Sequence, residues 1–158
     1  MHLGKDLKEF IGLLRSERVK FLVVGAAALA VHGRPRYTGD VDFWIESTPL
    51  NAKKMQKVFD KFGFTGTAPA DFERPDQIIQ LGRPPNRIDI LTGLTGVSFA
   101  SCWKKRVVKA VEGIRLPFLD LESLRTNKKA TGRPQDIADV QMMKKLRPGK
   151  RGRCSGST

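Results

Sequence analysis

Two acids stand one residue apart in Asp40-Val-Asp42, at the head of a run, Asp40-Val-Asp-Phe-Trp-Ile-Glu46, whose β-branched and aromatic content predicts a strand. Side chains alternate along a strand, so both carboxylates leave one face and Val41 the other. Like charges on neighbouring same-face positions repel unless they are solvated or a cation sits between them. Mg2+ prefers oxygen ligands, holds one or two carboxylates and completes its shell with water and substrate phosphate, which makes the pair a candidate Mg2+ site. Asp89, in Arg87-Ile-Asp-Ile-Leu91, points away from the face shared by Ile88 and Ile90 and supplies the third acid that a two-metal arrangement needs. An isolated Asp-x-Asp is also what a solvated sheet face looks like, so the neighbouring segments decide between the two.

Those segments favour phosphate chemistry. Val24-Gly25-Ala26 follows a predicted strand and opens a predicted helix, so the backbone N–H groups at Gly25 and Ala26 can approach a triphosphate. A Gly-Ala pair is equally suited to close packing of strand on helix. Arg34, Arg36 and Thr38 lie between this turn and the acids, placed to neutralise phosphate charge or to hold the acidic loop. Glu46 shares the Asp42 face by alternation and reads as a spare acid or a surface residue. Trp44 and Trp103 read as packing rather than as base-stacking platforms.

The elements that must position these residues follow from periodicity. Leu3, Leu7, Phe10, Ile11 and Leu14 recur at helical spacing and predict an amphipathic helix over 5–18. A strand is expected over 20–25, a helix of small residues over 26–31 ending at His32-Gly33, and a strand over 40–46. A helix follows over 50–62, and 64–74 is less regular. Strands over 76–81 and 87–91 form a hairpin around Gly82-Arg-Pro-Pro-Asn86, and 106–111 pairs with 114–118 across Glu112-Gly113. Helices are expected over 119–130 and 134–146, the last burying Ile137, Val140 and Met143. The fold class is therefore α/β (α+β), a small mixed sheet flanked by helices.

The chain has 158 residues, 40% hydrophobic and 28% charged, enough for one domain over 1–146 with a real core. Residues 147–158 lack apolar periodicity and read as a basic, disordered tail. Lys and Arg number 29 against 16 Asp and Glu, and the net charge of +13 favours polyanionic partners, nucleotides and RNA first. Part of that charge, from Lys144 to Arg153, gathers at the C-terminal end, as a solvated tail or as an RNA-binding arm. No apolar run is long enough for a membrane span and no signal-peptide core is present, so a cytoplasmic protein is expected. Cys102 and Cys154 are too few for a disulfide scaffold, and no Cys/His cluster has zinc spacing.

The run from Val23 to Asp42 resembles the nucleotidyltransferase superfamily with the polymerase-beta-like fold, and within it the small bacterial group related to AbiEii-type toxins. Gly25, His32, Gly33, Arg36, Thr38, Asp40, Asp42 and Asp89 match that group's pattern in order and approximate spacing. The stretch from Leu124 to Asp139 is similar to its later Lys-x-x-x-x-Gly-Arg-x-x-Asp-x-x-Asp helix pair. The resemblance implies a nucleotidyltransferase-like fold. It also implies transfer of a nucleoside monophosphate from an NTP to a hydroxyl acceptor, with pyrophosphate released. Asp40, Asp42 and Asp89 would be catalytic and hold two Mg2+ ions, with Mn2+ as the alternative. Gly25, Ala26, Arg36, Thr38, Lys128 and Arg133 would meet the nucleotide, although Asp136 and Asp139, at helical spacing, could equally pair with Arg133. Ala26 stands where the superfamily often has Gly or Ser, which removes a side-chain phosphate contact but keeps the N–H. The acceptor, whether RNA, protein or small molecule, is not specified, and a protein partner, as in a toxin–antitoxin pair, is compatible with the group. The competing expectation is an inert nucleotidyltransferase-like module that binds nucleic acid or a partner.

Overall fold

A computed structural model describes residues 3–33, 40–82, 87–144 and 146. Arg34, Arg36 and Thr38, the loop at 83–86 and the basic tail at 147–158 lie outside the described residues. The elements run α1 (Lys5–Ser16), β1 (Phe21–Val24), α2 (Gly25–Val31), β2 (Val41–Ile45), α3 (Pro49–Phe62), α4 (Pro69–Glu73), β3 (Ile78–Leu81), β4 (Ile88–Leu91), α5 (Phe99–Lys104), β5 (Val107–Val111), β6 (Ile114–Phe118), α6 (Leu121–Thr131) and α7 (Pro134–Met143). The expected mixed α/β class holds. Two short helices, α4 and α5, are additions to the sequence expectation. None of the described helices is long and apolar enough to cross a membrane.

The six strands form one sheet in the order β3-β4-β2-β1-β6-β5. β1 and β2 are antiparallel and β2 and β4 parallel, each pair in register over four residues. Both expected hairpins, β3–β4 and β5–β6, are present and antiparallel. β1 and β6 run parallel and meet at a single register pair, Val23 with Phe118, extended by the Leu119 N–H donating to the Val23 carbonyl.

One face of the sheet is aromatic and dry. Phe21 and Phe43 pack at 5.6 Å between ring centroids, and Phe10 of α1 meets Phe43 at 5.7 Å and Phe59 of α3 at 6.3 Å. α3 is set by its ends. Thr48 accepts from the Asn51 N–H, Pro49 supplies a preset φ, and Gly63 closes the helix at φ +93°. Buried Asn51 exchanges hydrogen bonds with the Lys20 N–H and carbonyl and donates to the Glu46 carbonyl, fastening the start of β1 to the end of β2. Glu46 itself pairs with Lys20 at 3.7 Å and is a surface ion-pair residue. On the opposite face Trp44 is buried against Phe99 of α5 at 5.1 Å, and Trp103 lies under the Arg106 guanidinium at 4.1 Å. Both Trp are packing residues, as expected.

α7 corrects one expectation. Val140 and Met143 are buried, but Ile137 is 52% exposed, and Asp136 and Asp139 are buried in its place. The reason is a polar knot with α6. Asp136 accepts from Thr131 Oγ1 at 2.6 Å, Arg133 Nε at 2.6 Å and Lys128 Nζ at 3.2 Å, and Lys128 lies 3.4 Å from Asp139. Buried carboxylates need partners, so the helix turns its acids toward the α6 cations and leaves Ile137 outside. Burial alone would raise the Asp136 pKa, but its hydrogen bonds outweigh it and hold the group well below the ordinary carboxylate range. Asp136 thus stabilises the fold at pH values above its unfolded pKa near 3.8, and that contribution is lost as the pH falls toward its folded value. Asp136→Ala is expected to cost about 3–5 kcal/mol in urea unfolding at pH 7. The difference from the wild type should shrink in acid.

Candidate active site

The register of three strands assembles the site. Val24 of β1 lies opposite Asp42 of β2, and Asp42 lies opposite Asp89 of β4. Because β2 and β4 are parallel and in register, the two carboxyl side chains leave the same face side by side. The chain passes from β1 into α2 with no intervening residue, and Gly25 makes that turn at φ +67°. A Cβ at Gly25 would sit 2.5 Å from Asp42 Oδ2, so glycine is required both by the turn and by the room the carboxylate occupies.

Burial and the neighbouring carboxylate set the protonation of the pair. Burial chiefly, then the Asp89 charge, a hydrogen bond to Asp89 and the Asp40 charge, push Asp42 up to about 7. Asp89 is also raised, by burial first, although the hydrogen bond with Asp42 opposes the shift. Burial and mutual repulsion thus favour the protonated form of Asp42 as the pH falls below about 7. Asp40, just before β2, accepts from Arg87 Nη2 at 3.3 Å, and Arg87 Nε lies 3.1 Å from Asp89 Oδ1.

A cavity of about 590 Å³ opens over Asp42. Val24, Gly25 and Asp42 form part of its floor, Leu91 and Gly93 continue from β4, and Lys128, Thr131 and Arg133 reach it from α6 and the turn into α7. Of the expected site residues, Gly25, Asp42, Lys128 and Arg133 thus share one cavity. Asp89 adjoins Asp42 without lining the wall, Asp40 faces Arg87, and Ala26 is not on the wall. Lys128 and Arg133 arrive already engaged with Asp136, the pairing with the α7 acids that the sequence offered as the alternative to a nucleotide contact.

Two residues were given no role by the sequence. Arg87 stands two positions before Asp89, and the alternation that placed Asp40 with Asp42 also puts Arg87 on the Asp89 side. Asp76 lines the cavity at φ +54°, close against Gly93, and nothing in its local sequence marks it. The segment is fixed by Thr92, whose hydroxyl accepts from the Gln77 N–H and donates to the Arg74 carbonyl.

A helix-flanked mixed sheet with paired acids on adjacent central strands is the arrangement of a nucleotidyltransferase-like protein. The crystal structure of a Thermotoga maritima protein provisionally assigned as a nucleotidyltransferase shares this fold. It has a TM-score of 0.56 over 88% of this chain and 88% of that one, at 18% sequence identity. Residues 2–146 match the family described as nucleotidyltransferase of unknown function (DUF6036), and the chain belongs to that family. No curated protein matches it.

The paired acids are a donor set that would suit a divalent cation. Asp42 and Asp89 offer adjacent carboxylate oxygens, and Asp89 Oδ1 is buried with no hydrogen-bond partner. Among the described residues no three His, Cys, Asp or Glu side chains form a metal-holding group, in keeping with Asp40 being turned onto Arg87. The pair, rather than all three acids, is what stands ready.

Gly25→Ala should lower stability by about 1–3 kcal/mol in denaturant unfolding, because it imposes positive φ on alanine and displaces Asp42. A shift of about 1 Å in that carboxylate would cost about 10²-fold in any turnover the site supports. Between pH 3.8 and about 7 folded Asp42 binds a proton that the unfolded chain releases, so its burial erodes stability as the pH rises through that window. Metal-free Asp42→Asn, which cannot ionise, should therefore have a higher Tm than the wild type at pH 8 and lose that advantage by pH 4.

Proposed function

We propose that the protein is a metal-dependent nucleotidyltransferase that moves a nucleoside monophosphate from an NTP to an acceptor hydroxyl and releases pyrophosphate. The observation that carries this reading is the Asp42–Asp89 pair, in register on adjacent parallel strands beside a cavity that Lys128 and Arg133 also reach. In the reaction the acceptor oxygen attacks the α-phosphorus, the bond to pyrophosphate breaks, and the hydroxyl proton leaves to a base. Asp42 and Asp89, with Asp40, would hold divalent cations, which would supply charge neutralisation for the triphosphate and the transferring group. Asp89 would either help hold the second cation or act as the base toward the acceptor hydroxyl. Gly25 leaves room for the Asp42 carboxylate and a bare backbone beside it, while Lys128 and Arg133 line the cavity wall where phosphate charge would lie. Arg36 and Thr38 belong to the same nucleotide-binding set on the sequence pattern.

The match of the run from Val23 to Asp42 to the AbiEii-related group supports placing the protein near those toxins, with a role in a toxin–antitoxin pair. The net charge of +13 supports RNA as the acceptor class ahead of a protein or small molecule. With Mg2+ or Mn2+ and each α-labelled NTP, the wild type should transfer label into an RNA acceptor pool. Asp42→Ala should transfer at least about 10³-fold less while remaining folded by circular dichroism. Equal labelling by the two proteins would overturn the reading. Absence of labelling from both, with no NTP binding by calorimetry, would favour an inert nucleotidyltransferase-like module.

A further inference from the structure

Arg87 has no part in the chemistry proposed above, yet it engages the acids more directly than any other cation among the described residues. It stands immediately before β4, and its one guanidinium reaches Asp40 Oδ2 at 3.3 Å and Asp89 Oδ1 at 3.1 Å, tying the entry of β2 to β4. The contacts are loose. Arg133 meets Asp136 at 2.6 Å, whereas Arg87 Nε and Asp89 Oδ1, both buried, face each other out of hydrogen-bond alignment. The Arg87 side chain keeps 30% of its surface exposed, so a route to solvent is open.

Three carboxylates gathered on one patch repel one another, and a guanidinium is the positive charge that offsets them in the absence of metal. The oxygens it occupies are ones that a divalent cation bound by the acids would take. A guanidinium and a divalent cation set against the same oxygens repel each other, so the two compete for them.

We propose that Arg87 is a positioning residue that acts as a built-in substitute for the metal: it holds Asp40 and Asp89 in place in the metal-free protein and must be displaced for a divalent cation to bind. The inference rests on the metal-binding reading of the acids given above. Its consequence is that the free protein binds divalent cations weakly, so that the cation enters most readily together with the NTP, whose phosphates add ligands of their own.

The test is Mn2+ binding to the full-length protein without nucleotide, followed by electron paramagnetic resonance. Damage to the site would weaken binding, whereas removal of a competitor strengthens it. Arg87→Gln is therefore expected to bind Mn2+ about tenfold more tightly than the wild type, and Arg87→Lys, which keeps the charge, to stay within about threefold of the wild type. Unchanged or weaker binding by a folded Arg87→Gln protein overturns the proposal. Asp42→Asn separates the two readings. If it binds Mn2+ as well as the wild type does, the metal reading of the acids fails and the inference falls with it. If its binding is lost but Arg87→Gln is not tightened, only the inference fails. The wild type offers a second measurement that does not depend on how the variants fold. The 15N signal of the Arg87 side chain, identified by its disappearance in Arg87→Lys, should move on titration with Mg2+. A signal unmoved at saturation would also overturn the proposal.

Discussion

The site depends on two carboxyl groups that strand register forces together. β2 and β4 are parallel with Asp42 opposite Asp89, so the two side chains leave one face as immediate neighbours. The surroundings answer that constraint. Burial raises the pKa of both members of the pair, Gly25 gives the Asp42 oxygen its room, and Arg87 brings a positive charge to Asp40 and Asp89. A raised carboxyl pair and a glycine at positive φ depart from what stability alone would select, and the guanidinium offsets part of that cost.

The other face of the sheet makes that arrangement tolerable. Phe10, Phe21, Phe43 and Phe59 interlock behind the same strands, and Asn51 pins β1 to β2 at the end away from Asp42. Alternation along β2 thus sends Val41, Phe43 and Ile45 into a dry core and Asp42 into the cavity. Beside the cavity, which it lines through Lys128 and Thr131, α6 is joined to α7 by ion pairs as well as by buried Val140 and Met143, because Asp136 and Asp139 take the positions nearest Lys128.

Much of this was legible in the sequence because it follows from periods of two and 3.6. The amphipathic α1, both hairpins, the turn at Gly25 and the separation of Val41 from Asp42 all come from spacing alone. Asp89 came from its place between Ile88 and Ile90, and the resemblance of the stretch from Leu124 to Asp139 brought in Lys128 and Arg133. What stayed hidden had definite causes. α4 and α5 are five and six residues long, too short for a periodic signal. Ile137 misled because apolar periodicity takes no account of buried ion pairs, and here two aspartates outcompete an isoleucine for the inner face of α7. The alternation applied to Asp40 and Asp42 would have placed Arg87 as well. Asp76, by contrast, is brought to the cavity by the path of the chain before β3, and its own residue type carries no sign of that. Arg36 and Thr38 have a place in the sequence pattern alone.

The sheet also divides at an uneven joint. β2 is held to β1 and to β4 over four register positions each, whereas β1 and β6 share one. Asp42, Asp89 and Gly25 stand on the firmly laced side, while Lys128 and Arg133 belong to helices that follow β6 on the other. The cavity therefore bridges two unequally paired parts of one sheet, its acids borne by one part and its cations by the segments that follow the other.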